Sequence, residues 1–253
     1  MRKILICFLL SACVGQSVFV PNDFVPNDFV RHDIQTQNYE IATWQKINSP
    51  KNNTLHIYIE GDGHAFDAYG RPSFDPTPQS TTLRQIAFND DFDNVVSIAR
   101  PCQFIMDKNC SVSDWTNGRF SQKIIDSVSS VIKQISRGRD IVLIGYSGGA
   151  MVSGLVIEQN KNLPIKQWIT IAGVLDHEKW TQHFGDTKLD ASLNMKQLPK
   201  IKQTHFVGGR DDIVPYELAK QWANEKDIVL IETATHDNFK NLKIFPTTVI
   251  GKN

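Results

Sequence analysis

Gly145-Tyr146-Ser147-Gly148-Gly149 sets one serine among glycines, directly after the apolar run 141–144 and directly before the helix-like stretch 150–158. A serine can act as a nucleophile where the backbone turns sharply enough at a strand end to lift its hydroxyl clear, and small neighbours permit that turn. The helix that follows offers unpaired N–H groups and the positive end of its dipole to negative charge developing nearby. The hydroxyl is weak until a base takes its proton, and the base must be oriented by an acid. Partners of both kinds stand downstream in order. Gly208-Gly209-Arg210-Asp211-Asp212-Ile213-Val214-Pro215 follows the strand-like run 204–207, and Thr235-His236-Asp237 follows the run 228–231. Acyl transfer through a serine is the chemistry such a set could perform.

The elements that must position these groups are legible in the hydrophobic pattern. From residue 39 onward β-like runs alternate with helix-like segments, the pattern of a mostly parallel sheet covered on both faces. Strands are predicted near 39–46, 54–60, 94–99, 140–145, 167–172, 203–207 and 228–232. The run Ile141-Val142-Leu143-Ile144 is apolar throughout, as suits a strand buried on both sides. Residues 123–136 put Ile124, Ile125, Val128, Val131, Ile132 and Ile135 at helical spacing, and Pro215 opens a further helix reaching 224.

With elbow, acid loop and histidine loop in this order, the chain resembles the α/β-hydrolase family over about residues 39–245, with specific motifs at those three loops. The resemblance implies an α/β fold with a mostly parallel central sheet and helices on both faces. Only about thirty residues separate Ala172 from Thr204, so no large lid domain is expected. It also implies a serine hydrolase cleaving an ester-like acyl bond through an acyl-enzyme, with Ser147 as nucleophile and His236 as base. Asp211 matches the acid of the family's G-x-x-D-x-I-V-P stretch, while Asp212 next to it and Asp176 near the preceding strand end are the alternative acids. The oxyanion N–H groups would come from Gly148 and from Asp62 or Gly63 in the loop Glu60-Gly61-Asp62-Gly63-His64, where Glu60 replaces a histidine common in relatives.

His56, His177, His183 and His205 lack the base's position after the last core strand. His64 is either a substrate contact or a plain loop histidine. Arg100, Trp115 and Arg119 either line the site or serve packing and solvation. No cofactor or metal is implied. A lipase or peptidase would use the same triad on larger substrates, and a catalytically inactive binding or structural module on this fold is the rival reading.

Residues 1–12 read as a signal peptide, with Arg2-Lys3 ahead of an apolar run, 4–10, too short to span a bilayer. Leu10-Ser11-Ala12-Cys13 resembles the bacterial lipobox, which predicts cleavage before Cys13 and lipid, palmitate included, on that cysteine. The protein would then be anchored to a bacterial envelope membrane, facing the periplasm or exterior; an ordinary secretory leader cut nearby is the alternative. Residues 13–37 contain the tandem repeat Pro-Asn-Asp-Phe-Val, at 21–25 and 26–30, and read as an irregular tether. Residues 38–253 read as one hydrolase domain, long enough to bury a core without staples. In an oxidising compartment Cys102 and Cys110 are expected to pair as a disulfide, the alternative being two buried thiols.

Losing Arg2 and Lys3 with the leader leaves 25 basic against 27 acidic residues, a balance that argues against nucleic acid. The expected partners are an acyl substrate, small or lipid-like, and a membrane reached through the anchor.

Overall fold

Short apolar runs become strands here because alternate residues meet a helix layer on each side. The computed structural model describes residues 25–50, 52–239 and 242–245; the expected leader, Cys13 and the first repeat as far as Phe24 lie outside the described residues. Among these residues eight strands form one sheet: β1 (Val30–Gln35), β2 (Glu40–Ile47), β3 (Thr54–Ile59), β4 (Asn94–Ile98), β5 (Asp140–Tyr146), β6 (Ile165–Ile171), β7 (Lys202–Gly208) and β8 (Ile228–Ile231). Their order is β1-β2-β4-β3-β5-β6-β7-β8. The pairs β1–β2 and β2–β4 are antiparallel, and every pair from β4 across to β8 is parallel.

Among the described residues five α-helices accompany the sheet: α1 (Thr82–Phe88), α2 (Gln122–Ser136), α3 (Gly148–Gln159), α4 (His177–Phe184) and α5 (Tyr216–Trp222). Leu55, Ile57, Ile59, Ile141 and Leu143 pack with α2 and α3 in one core. Tyr58, Val142, Ile144, Ile169 and Ile171 pack with Leu83 and Ile86 of α1 in the other. The alternation within β3 and β5 therefore sorts side chains between two cores, and the expected architecture is the one observed. The apolar stripe of α2 is buried as its spacing predicts, whereas α3 is buried from Gly148 through Ile157 and has scarcely a polar face. Between β6 and β7 stand only α4 and a loop, with no lid domain.

The sequence-based expectation of an irregular tether as far as residue 37 needs correction, because Val30–Gln35 pairs along its length with β2. Most of β1 is exposed, and Ile34 is its one residue against the core. Such an edge strand is held by backbone hydrogen bonds and shows little of the apolar alternation by which strands are recognised. The second repeat copy also belongs to the domain: Phe29 is buried, with its ring 4.7 Å from that of Phe88.

After β3 the chain runs outward to β4, and it then returns to place β5 on the other side of β3. The carboxyl ends of β3 and β5 thus flank a point where connections diverge to opposite sides of the sheet, the usual place for a crevice in an open α/β sheet.

Candidate active site

Ser147 sits at that crevice, between the end of β5 and the start of α3, with φ 51° and ψ −123°. Holding a non-glycine residue there is costly, and such strain persists only where surrounding contacts over-determine it. Those contacts are present: Ser147 N–H donates to Ile171 O (3.0 Å), and Ser147 O accepts from the N–H groups of Val174 (3.1 Å) and Ala150 (3.0 Å). Gly145 and Gly149 are required by close approach, since a Cβ on Gly149 would collide with the carbonyls of Ile59 and Glu60, and one on Gly145 with Ser153 and Ala150. The glycines therefore let β3, β5 and α3 converge beneath the serine.

His236 reaches the serine from the loop after β8, its Nε2 3.0 Å from Ser147 Oγ. Its Nδ1 lies 2.9 Å from Asp211 Oδ2 and 3.2 Å from Oδ1, on the loop after β7. Asp211 Oδ1 also accepts the N–H groups of Ile213 (2.9 Å) and Val214 (2.8 Å), so the buried carboxylate is fixed before it orients the imidazole. The structure brings Ser147, His236 and Asp211 together and leaves the alternative acids outside. Asp212 is exposed. Asp176 caps α4, accepting from the N–H groups of Glu178 and Lys179 and from Asn194 Nδ2.

The remaining histidines, His64 excepted, are accounted for elsewhere, His32 lying exposed on β1. His56 is buried 2.7 Å from Asp90, a carboxylate that also accepts from Tyr58 Oη. His205 lies between Thr170 Oγ1 and Gln203 Oε1, and burial pushes its pKa down to about 4. His177 is likewise lowered by burial, and its Nε2 is 3.1 Å from Leu193 O. His183 is exposed. His64 does line the cleft beside the serine.

In the loop after β3, Gly61 N–H points to Glu60 Oε1 (3.1 Å) and His64 N–H to Pro76 O (3.0 Å). That leaves Asp62 and Gly63 N–H as the loop's candidate oxyanion donors, with the Asp62 carboxylate lying against Gly148 at the start of α3. Gly63 has φ 66° and packs against Pro76 O and Gln103, a place closed to any side chain. Sequence reasoning needed only the backbone of Asp62, yet its carboxylate meets two arginines, Arg100 Nη1 at 2.5 Å and Arg119 Nη1 at 2.7 Å. Burial alone would raise the Asp62 pKa, but the Arg119 and Arg100 charges outweigh it and hold the carboxyl below its ordinary range. Of the three residues that could line the site, Arg119 does; Arg100 is buried behind Asp62, and Trp115 is buried with its indole N–H donating to Ser73 O. The expected disulfide is present between Cys102 and Cys110, with Cα atoms 5.8 Å apart, in the loop after β4.

A second contact was missed by sequence reasoning. Tyr146 Oη stands 3.0 Å from His236 O and 2.9 Å from Asp237 Oδ1, tying the histidine loop to the elbow. Burial, reinforced by the Asp237 charge, pushes the phenol pKa well up and keeps it a neutral donor. Only its place beside Ser147 could have marked it.

The cleft holds about 390 Å³, with Ala65, Phe66, Val174, Trp180 and Ile213 as apolar walls around Ser147 and His236. A larger groove of about 630 Å³, bordered by Lys179, Lys200, Lys202 and Lys226, contains none of these groups, so chemistry and not size selects the smaller one.

Against known proteins, residues 97–237, more than half of the chain, match the family described as serine hydrolase (FSH1). Among curated proteins no sequence relative was found. Solved structures with the same fold include an α/β serine hydrolase without lid from Xanthomonas campestris (14% identity, TM-score 0.52, covering 85% of this chain and 88% of that one). A putative hydrolase from Agrobacterium vitis aligns at 12% identity and TM-score 0.57, over 82% and 92% of the two chains. A putative lipase from Acinetobacter baumannii aligns at 9% identity and TM-score 0.60, over 83% and 85%. At such identities the likeness carries the fold alone.

Proposed function

We propose, from the premise that this chain belongs to the serine hydrolase (FSH1) family and is a hydrolase of the α/β-hydrolase fold, that it cleaves an ester-like acyl bond through Ser147, His236 and Asp211. The observation that supports this reading is the continuous series Ser147 Oγ, His236 imidazole, Asp211 carboxylate on a strained strand-to-helix turn. In this reading His236 Nε2 takes the Ser147 proton as Oγ attacks the substrate carbonyl. Asp211 keeps Nδ1 protonated and the ring aligned. The N–H groups of Gly148 and of Asp62 or Gly63 receive the oxyanion. His236 then passes the proton to the departing alcohol, leaving an acyl-Ser147 ester that a water, activated by the same imidazole, hydrolyses. The apolar walls of the cleft suit the acyl side of such a substrate.

The deciding experiment is labelling of the purified protein with a fluorophosphonate, followed by turnover of acyl esters of graded chain length. Ser147→Ala should lose labelling and turnover, by up to about 10⁶-fold on the scale of triad knockouts, with an unchanged circular dichroism spectrum. A folded Ser147→Ala protein with wild-type turnover would falsify the assignment.

A further inference from the structure

We propose that Arg100 and Arg119 are positioning residues for the oxyanion loop, gripping the Asp62 carboxylate and through it aligning the loop's N–H groups with the start of α3. This rests on the reading of Ser147 as nucleophile. Asp62 touches both halves of the proposed oxyanion site: its backbone belongs to the loop after β3, and its Oδ1 lies so close against Gly148 that a Cβ there would have no room. One carboxylate oxygen takes Arg100 Nη1 and the other takes Arg119 Nη1, so the side chain is held from two directions. The arginines are themselves fixed. Arg100 Nη2 donates to Arg119 O, Arg119 Nε to Thr116 O, and both residues are at most 6% exposed. Gln103 completes the hold, accepting Arg100 N–H (3.0 Å) and donating to Gly61 O (2.9 Å).

Charge supports a role beyond packing. A carboxylate on a residue whose N–H is to receive an oxyanion opposes the negative charge that develops there, and one guanidinium would only cancel it. Two guanidiniums leave Asp62 with one positive charge in excess, while the neighbouring Glu60 carboxylate faces Arg84 at 4.0 Å, in a partly dehydrated place where charge is weakly screened. Arg119, the one on the cleft wall, is the second of them.

The test uses the full chain carrying Arg119→Gln or Arg119→Lys, with p-nitrophenyl acetate as substrate and a trifluoromethyl ketone, whose serine adduct carries an oxyanion, as inhibitor. Arg119→Gln should lower kcat by about 10- to 100-fold, somewhat less than loss of a whole oxyanion donor. KM should stay within about threefold, as when an interaction made only in the transition state is removed. The ketone should weaken in step with kcat/KM, millimolar guanidinium should restore part of kcat, and Arg119→Lys should fall in between. Unchanged kcat and inhibition in Arg119→Gln would overturn the proposal, and so would a raised KM at constant kcat, which would make Arg119 a ground-state contact. Should Arg119→Gln not fold, Arg119→Lys with and without guanidinium decides by the same readouts. Failure of the wild type to label with fluorophosphonate would instead remove the Ser147 reading.

Discussion

Asp211, Asp212 and Asp176 are chemically alike, and their surroundings alone separate them. Asp211 receives two backbone N–H groups and faces His236, so replacing one of its oxygens by an amide presents a donor where the imidazole N–H requires an acceptor. Asp211→Asn should cut turnover by about 10⁴-fold, the size of the tautomer effect in a serine protease triad. Asp212→Asn, on an exposed side chain, should leave turnover near wild type. Asp176→Ala should cost about 1 kcal/mol of stability through the lost cap of α4, again with turnover retained. Steady-state kinetics and thermal melts on the three variants check the set; a crippled Asp176→Ala enzyme that melts like wild type would move the acid to α4.

Two elements carry conditions that solution experiments can read. β7 places His205 against Thr170 of β6, in an interior where burial lowers its pKa from 6.5 to about 4. Between these values the unfolded chain binds the proton and the folded chain does not. Folded-state stability therefore rises with pH across this window and is lost as pH falls from about 6.5 toward 4, by roughly 3 kcal/mol if fully expressed. Urea midpoints at pH 7 and pH 5 should diverge more in wild type than in His205→Gln, whose side chain cannot take up the proton. Equal pH slopes in the two proteins would contradict this. The loop after β4 is closed by Cys102 and Cys110, eight positions apart. Removing both thiols, Cys102→Ser with Cys110→Ser, should lower stability by at most about 2–3 kcal/mol on the chain-entropy account. Fluorophosphonate labelling of Ser147 should persist in that variant, and an unchanged melting temperature would show that the bond contributes nothing.

At the scale of the whole molecule, the site lies open at the carboxyl ends of β3, β5, β7 and β8, and the described chain begins at the opposite edge of the sheet, next to β1. Thirteen positions separate Cys13 from Pro26, where the second repeat copy joins the domain, a length that can span at most roughly 45 Å. A lipid on Cys13 would hold the domain beside a membrane without constraining which way the cleft faces. We expect Cys13→Ser to move the protein from the membrane fraction to the soluble one, or to block its maturation, while ester turnover of the domain stays at wild-type level. Fractionation with an antibody to the domain checks this, and a wild-type chain found wholly soluble would remove the anchor.

What could be read without coordinates was local. The runs that became β2 to β8, the stripe of α2, the glycines of the elbow and the order serine, aspartate, histidine are all written in nearest-neighbour patterns, because periodicity and turn chemistry act over a few residues. β1 was not legible, since an edge strand is specified by the partner it pairs with and hardly by its own side chains. Asp211 and Asp212 differ only by which faces inward after β7, a question of register that tertiary packing answers. The grip of Arg100 and Arg119 on Asp62, and of Tyr146 on the His236 loop, joins residues 38, 57 and 90 positions apart. No sequence periodicity records such pairs. The crossover at β3 and the pairing of distant strands side by side in the sheet bring them within hydrogen-bonding distance, and burial then gives those few contacts their weight.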